Sequence, residues 1–109
     1  IGGITGIHQF CKVGEHSFVG ACRLILHDVP PFILATGEPL QYSGINTVGL
    51  RRRKFNLNTR NKIKNAYKIL YSSNCNVSQA VKEIKTTIDN SKEIKSILDF
   101  IKKSDRGII

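Results

Sequence analysis

The sequence predicts two unlike halves: the last coils of a left-handed parallel β-helix, followed by a three-helix C-terminal bundle. Three observations carry this expectation. Aliphatic residues recur every six positions at the start of the chain, the hydrophobic period turns helical after Arg51, and the basic residues crowd into the second half.

The six-residue period runs through Ile1, Ile7, Val13, Val19 and Ile25 without a break. Gly2, Gly14 and Gly20 directly follow three of these positions, and the small residues Thr5, Cys11 and Ser17 fall four places after three of them. This is the hexapeptide pattern, in which each unit forms one flat side of a three-sided coil, the aliphatic pointing inward and the glycine easing the corner. With about 18 residues to a coil, residues 1–36 make about two coils, and a solenoid needs neighbours to bury its core. Further coils are therefore expected before Ile1. A chain of 109 residues without a single Met also reads as part of a longer protein. The repeat is expected to end at Pro30-Pro31, where the rings remove backbone donors and fix φ.

Residues 31–50, punctuated by Gly37, Pro39, Gly44 and Gly49, read as an extended connector. Asn56 can cap a helix running to about Ser72, with Ile63, Tyr67, Leu70 and Tyr71 on one face. Asn76 with Gln79 three places on forms a capping box for a helix that turns Ala80, Val81, Ile84 and Ile88 inward. Ser91 caps a third, with Ile94, Ile97, Leu98 and Ile101 as its stripe. The expected divisions are β-helix over 1–36, a connector carrying a binding motif over 37–55, and helices over 56–109.

The net charge of +9 is unevenly placed. Residues 1–50 hold only Lys12 and Arg23 against Glu15, Asp28 and Glu38, while the remaining fifteen basic and five acidic residues follow. Such asymmetry points to a polyanionic partner, which could be a nucleic acid, a phosphate-bearing substrate, a membrane surface or an acidic protein. No run approaches the roughly 18 apolar residues of a membrane span. Cys11, Cys22 and Cys75 form no CxxC pair and read as free thiols of a reducing compartment, the cytoplasm.

Motifs in both halves then narrow the family. Ile7-His8-Gln9-Phe10-Cys11, Val19-Gly20 and Asp28-Val29-Pro30-Pro31-Phe32 are followed by Gly44-Ile45-Asn46 and Gly49-Leu50-Arg51-Arg52-Arg53. Lys64-Asn65-Ala66-Tyr67-Lys68 and Arg106-Gly107 complete the series. Together, and in this order, they resemble the C-terminal portion of the acyl-carrier-protein–UDP-N-acetylglucosamine O-acyltransferase family. The resemblance implies transfer of a 3-hydroxyacyl group from acyl carrier protein to the 3-hydroxyl of the sugar, the first step of lipid A synthesis, by a homotrimer without metal or organic cofactor. It implies that the general base is a histidine of an earlier coil, so that these residues alone contain no catalytic group and do not catalyse the reaction. By the same resemblance His8 and Gln9 face the sugar nucleotide, and Asn46, Arg52 and Arg53 grip its nucleotide and diphosphate end. Arginine suits that task, since its donor fork matches phosphate oxygens. Ala21 falls where the acyl chain is accommodated. One position departs from the pattern: Val48 stands where the family usually has Glu.

Other readings remain open at this level. A hexapeptide transferase using acetyl-coenzyme A would share the coils, and a decayed, purely structural fragment would share everything but activity. A nucleic-acid-binding module would explain the basic half, but Tyr67 and Tyr71 lie on an apolar helix face and offer no stacking platform. The run Arg51–Lys54 could be a solvated patch, and the helix lysines from Lys62 to Lys103 could be a landing surface for acidic carrier protein or a compositional bias. His16 and His27 read as surface residues. A zinc site from His8, His16 and His27 is not expected, because their spacing puts them on different sides of the prism.

Overall fold

A computed structural model describes residues 11–20, 25–37, 40–71, 76–104 and 107–109. Its elements run β1 (Phe18–Val19), β2 (Ile33–Thr36), β3 (Gln41–Ile45), α1 (Thr47–Arg52), α2 (Leu57–Leu70), α3 (Val77–Thr87) and α4 (Lys92–Lys103).

The coil half is built from successive stretches stacked in parallel. Phe18 pairs with Leu34 and Val19 with Ala35, while Val13 forms an isolated parallel bridge with Val29. Every one of these pairs is 16 residues apart, not the 18 that three hexapeptides imply, so this coil closes two residues short. His16 and Phe32 are also one such interval apart, and both adopt left-handed backbone (φ 56° and 68°). Non-glycine residues rarely sit there, so two consecutive coils turn the same corner by the same strained step. Val19, Ile25, Val29, Ile33 and Ala35 are fully buried between the sides, which is where the six-residue period had placed Val19 and Ile25.

Stacking does not stop at Pro30-Pro31, as the prolines alone suggested. Those residues form the corner before β2, and a Cβ added at Gly14 would overlap the backbone of Pro31. Gly14 is therefore the repeat glycine whose missing side chain lets one coil lie against the next. Beyond that corner the expected connector is ordered structure. β2 turns back into antiparallel β3, with an irregular register between Ile33 and Ala35, and α1 follows directly.

The helices begin where their caps are written. Asn56, Asn76 and Ser91 each accept a hydrogen bond from the backbone N–H three residues on, and Asn76 with Gln79 makes the reciprocal box. α2 ends at Leu70, slightly before the expected Ser72, and α1 is a fourth helix that periodicity did not reveal. α2 packs on α3, α4 and β3. Its Ile63, Ala66, Tyr67 and Leu70 are buried with Ala80 and Ile84 of α3 and Ile94 and Ile97 of α4. Each buried isoleucine or leucine among them contributes about 1.5–3 kcal/mol by leaving water.

Asp28, also fully buried, fastens the helical half to the coils. Its carboxylate accepts from the Lys12 backbone N–H at 2.7 Å and from the Ser104 hydroxyl at 2.5 Å. Its main chain donates to the Gly107 carbonyl and accepts from the Ile109 N–H. Two further bonds bind α4 and its end to the coil: Ser96 Oγ to Glu15 at 2.8 Å, and Lys12 Nζ to the Lys103 carbonyl at 2.6 Å.

Three tyrosines seal β3 to α2. Tyr42 stacks on Tyr71 with ring centroids 4.4 Å apart and lies 5.6 Å from Tyr67. The Tyr67 hydroxyl donates to the Pro31 carbonyl (2.5 Å) and that of Tyr71 to the Ile109 carbonyl (2.9 Å). Burial pushes all three phenols above the usual tyrosine value of 10.0, and for Tyr67 and Tyr71 the neighbouring phenols add to it.

Two outcomes follow. Asp28→Ala, which strands the Lys12 N–H and the Ser104 hydroxyl, is expected to lower stability by about 2–3 kcal/mol in urea titration, and Ser104→Ala by less. The tyrosines stay protonated in the folded state at a pH where unfolded chains ionise, so their stabilisation is complete below the ordinary tyrosine value of 10.0 and is lost as pH rises above it. Denaturation midpoints measured from neutral to strongly alkaline pH should fall only in that upper range, and less steeply in Tyr71→Phe.

Candidate functional site

The expected binding residues Asn46, Arg52 and Arg53 occupy the two ends of α1. Asn46 is the N-cap: its Oδ1 accepts from the Gly49 N–H at 3.2 Å, and its Nδ2 donates to the His16 carbonyl at 3.0 Å. Its backbone N–H donates to the Phe32 carbonyl. One residue thus starts the helix and ties it, by side chain and backbone, to both left-handed corners of the coils. Gly49 is required here because a Cβ at that position would overlap the Asn46 amide.

The corner is filled by rings. His16 stacks on Phe32 with centroids 5.8 Å apart and meets the edge of Phe55 at 5.5 Å, while Phe32 and Phe55 are 5.9 Å apart. His16 is therefore not the surface residue its sequence context suggested. Its side chain is 24% exposed, and Glu15 lies 3.9 Å from its Nε2. His27, by contrast, is exposed.

Arg52 and Arg53 stand exposed at the other end of α1, and among the described residues no ion pair engages them. Arg51 and Arg52 face the negative end of the helix dipole, a stabilising but weak arrangement that leaves the guanidinium forks available. Val48, 62% exposed, is one helical turn before Arg52 and shares its face. A carboxylate at position 48 would sit beside that guanidinium; the valine leaves it uncompensated. The structure thus joins Asn46, Arg52 and Arg53 on one short helix anchored to the coil corner. His8, Gln9 and Ala21 lie outside the described residues.

Sequence reasoning had not marked three contributors: His16 and Phe32, whose roles depend on backbone φ, and Tyr42, which meets Tyr67 and Tyr71 only in space. Cys11 is a free thiol packed against the core. Among the described residues no three metal-ligating side chains converge, and no helix is long and apolar enough to cross a membrane.

Stacked coils that end in a helical cap, with a cationic helix at the junction, define a class of capped solenoid proteins. Comparison with known proteins narrows this class. Residues 28–109 match the model of the second domain of UDP-N-acetylglucosamine O-acyltransferase. The acyl-[acyl-carrier-protein]–UDP-N-acetylglucosamine O-acyltransferase of Aliivibrio salmonicida is 41% identical over the whole chain, and that of Thiobacillus denitrificans 39%. The chain spans 42% of the length of each. Among solved structures, LpxA of Bacteroides fragilis, a UDP-N-acetylglucosamine acyltransferase, superimposes with a TM-score of 0.93 at 43% identity. That match covers 97% of this chain and 42% of that one. The Francisella novicida UDP-N-acetylglucosamine acyltransferase follows at 0.88 and 38%, over 97% of this chain and 39% of its own. The chain belongs to the UDP-N-acetylglucosamine O-acyltransferase family.

Asn46 serves the fold while offering a polar edge, and its variants separate the two roles. Asn46→Asp keeps the capping oxygen and loses only the donor to His16, whereas Asn46→Ala loses both. Thermal melts should place Asn46→Ala about 1–2 kcal/mol below the parent and Asn46→Asp closer to it. Arg52→Ala and Arg53→Ala should melt within about 0.5 kcal/mol of the parent, as exposed substitutions do.

Proposed function

We propose that this chain forms the C-terminal, nucleotide-gripping part of an enzyme that moves a (3R)-hydroxyacyl group from acyl carrier protein to the 3-hydroxyl of UDP-N-acetylglucosamine, opening lipid A synthesis. The observation that carries it is Asn46, Arg52 and Arg53 on α1, in a chain of this family. Two exposed guanidinium groups without an acidic partner among the described residues suit a diphosphate, because charge-assisted bidentate bonds are strong and oriented. His8 and Gln9 then meet the sugar from the preceding coil, and Ala21 bounds the acyl chain. The general base comes from an earlier coil, so these residues position substrate and do not carry out proton transfer.

In this reading the coils are left-handed and cover residues 1–36, residues 37–55 carry the binding motif, and the helices of 56–109 form the bundle in which α2, α3 and α4 are the main members. Three copies assemble around the coils in the cytoplasm, and no metal or organic cofactor takes part. The acidic carrier docks on the lysine-bearing helices. Its best-suited surface is the groove of about 950 Å³ between α3 and α4, with Val81, Ile88, Leu98 and Ile101 along it and Lys82, Lys85, Lys95 and Lys102 around it. Apolar floor and cationic rim fit an amphipathic acidic surface.

The test is acyl transfer from 3-hydroxyacyl carrier protein to UDP-N-acetylglucosamine, run on this chain and on the full-length protein. Transfer by the full-length protein and none by the chain is expected. In the full-length protein Arg52→Ala with Arg53→Ala should raise KM for the sugar nucleotide by at least about tenfold, the equivalent of about 1.4 kcal/mol, with a smaller effect on kcat. Val48→Glu should lower that KM. Absence of transfer at every acyl length, with acetyl-coenzyme A accepted instead, would sink the proposal.

A further inference from the structure

α2 carries Arg60, Lys62, Lys64 and Lys68 and not one acidic residue along its length. Arg60 and Lys64 stand four residues apart, on one face, where like charges repel. That face borders a cavity of about 380 Å³ between α2 and β3, lined by Tyr42, Ser43, Gly44, Ile45, Thr47, Leu57, Arg60, Asn61 and Lys64. No carboxylate is among the lining residues. The Nε of Arg60 is buried and meets no acceptor among the described residues. Arg60 as a whole is only partly buried and lines the cavity, so its charge faces a space without a compensating carboxylate.

We propose that this cavity is an anion site that takes one phosphate group, held by Arg60 and Lys64. It shares no residue with Asn46, Arg52 and Arg53. The arrangement has what such a site needs. Arg60 supplies a fixed charge at the wall, and Lys64 supplies a second one turn away. Thr47 and Asn61 add neutral donors at the rim. The cavity also opens at the first turn of α2, whose positive dipole end has no acidic side chain to offset it. Occupation would relieve the Arg60–Lys64 repulsion. The proposal does not depend on the acyl-transfer reading, since any phosphate-bearing ligand of this size would serve.

Calorimetric titration of the full-length protein with inorganic phosphate, at low ionic strength, tests it. The background is Arg52→Gln with Arg53→Gln, which removes the nucleotide-gripping arginines. Phosphate should still bind there; adding Arg60→Gln should weaken it at least tenfold, Lys64→Gln less, and Arg60→Lys should restore part of the affinity. Circular dichroism confirms that each variant is folded. Phosphate binding unchanged by Arg60→Gln, or absent at tens of millimolar in the folded background protein, overturns the proposal. Glycerol phosphate distinguishes the sources. Equal Arg60-dependent affinities assign the site to free phosphate, and tighter binding of the ester assigns it to a phosphorylated ligand; both support the site.

Discussion

The buried carboxylate of Asp28 is the constraint on which the rest of this structure depends. A carboxylate removed from water must be compensated, and here the compensation comes from distant parts of the chain. Lys12, in the preceding coil, and Ser104, at the end of α4, both donate to it. Because its own backbone pairs with Gly107 and Ile109, the last residues of the chain lie beside the coil in an isolated parallel bridge. Coil register, helix placement and the course of the C-terminus therefore meet at one residue. The apolar core around it could tolerate small slips; the hydrogen bonds cannot, since each slip would strand a buried donor.

The candidate site is held at a second junction, between α1 and the coil corners. α1 is only six residues long and would not hold its position by helix propensity. It is held because Asn46 bonds to the His16 carbonyl and the Phe32 carbonyl accepts from Asn46, with the three rings beneath. The strained corners of the coils and the start of the cationic helix are a single packed unit. Strained backbone persists where its surroundings over-determine it, and the surroundings here are the elements that would have to stay fixed for two guanidinium groups to meet a diphosphate.

How much of this was legible in the sequence depends on how local each feature is. The caps of α2, α3 and α4 were readable because Asn56, Asn76 and Ser91 act within three residues of themselves, and the six-residue period marked Val19 and Ile25 as core. Asn46, Arg52 and Arg53 came only from resemblance; nothing in their spacing announces a helix between them, because α1 is too short to show a period and contains Gly49. The coil length was misjudged because the hexapeptide rule assumes equal sides, whereas His16 and Phe32 turn through left-handed backbone that composition does not encode. His16 looked solvated for the same reason: its ring partners, Phe32 and Phe55, are 16 and 39 residues away in sequence. The lack of a partner for the Arg60 Nε among the described residues was invisible, since it is a property of the surroundings and not of the residue.

The shortened coil has a consequence for how the molecule meets its own copies. A parallel solenoid offers at its end a ladder of unpaired amides and carbonyls on which another chain could continue the stack, and repetition of that step makes fibres. Here the final turn has a different circumference from a full hexapeptide coil, and β3 then runs antiparallel along β2 with α2 against it. An incoming coil of ordinary length would find neither matching register nor matching direction. The two missing residues thus work as a full stop to a repeat that could otherwise extend without limit.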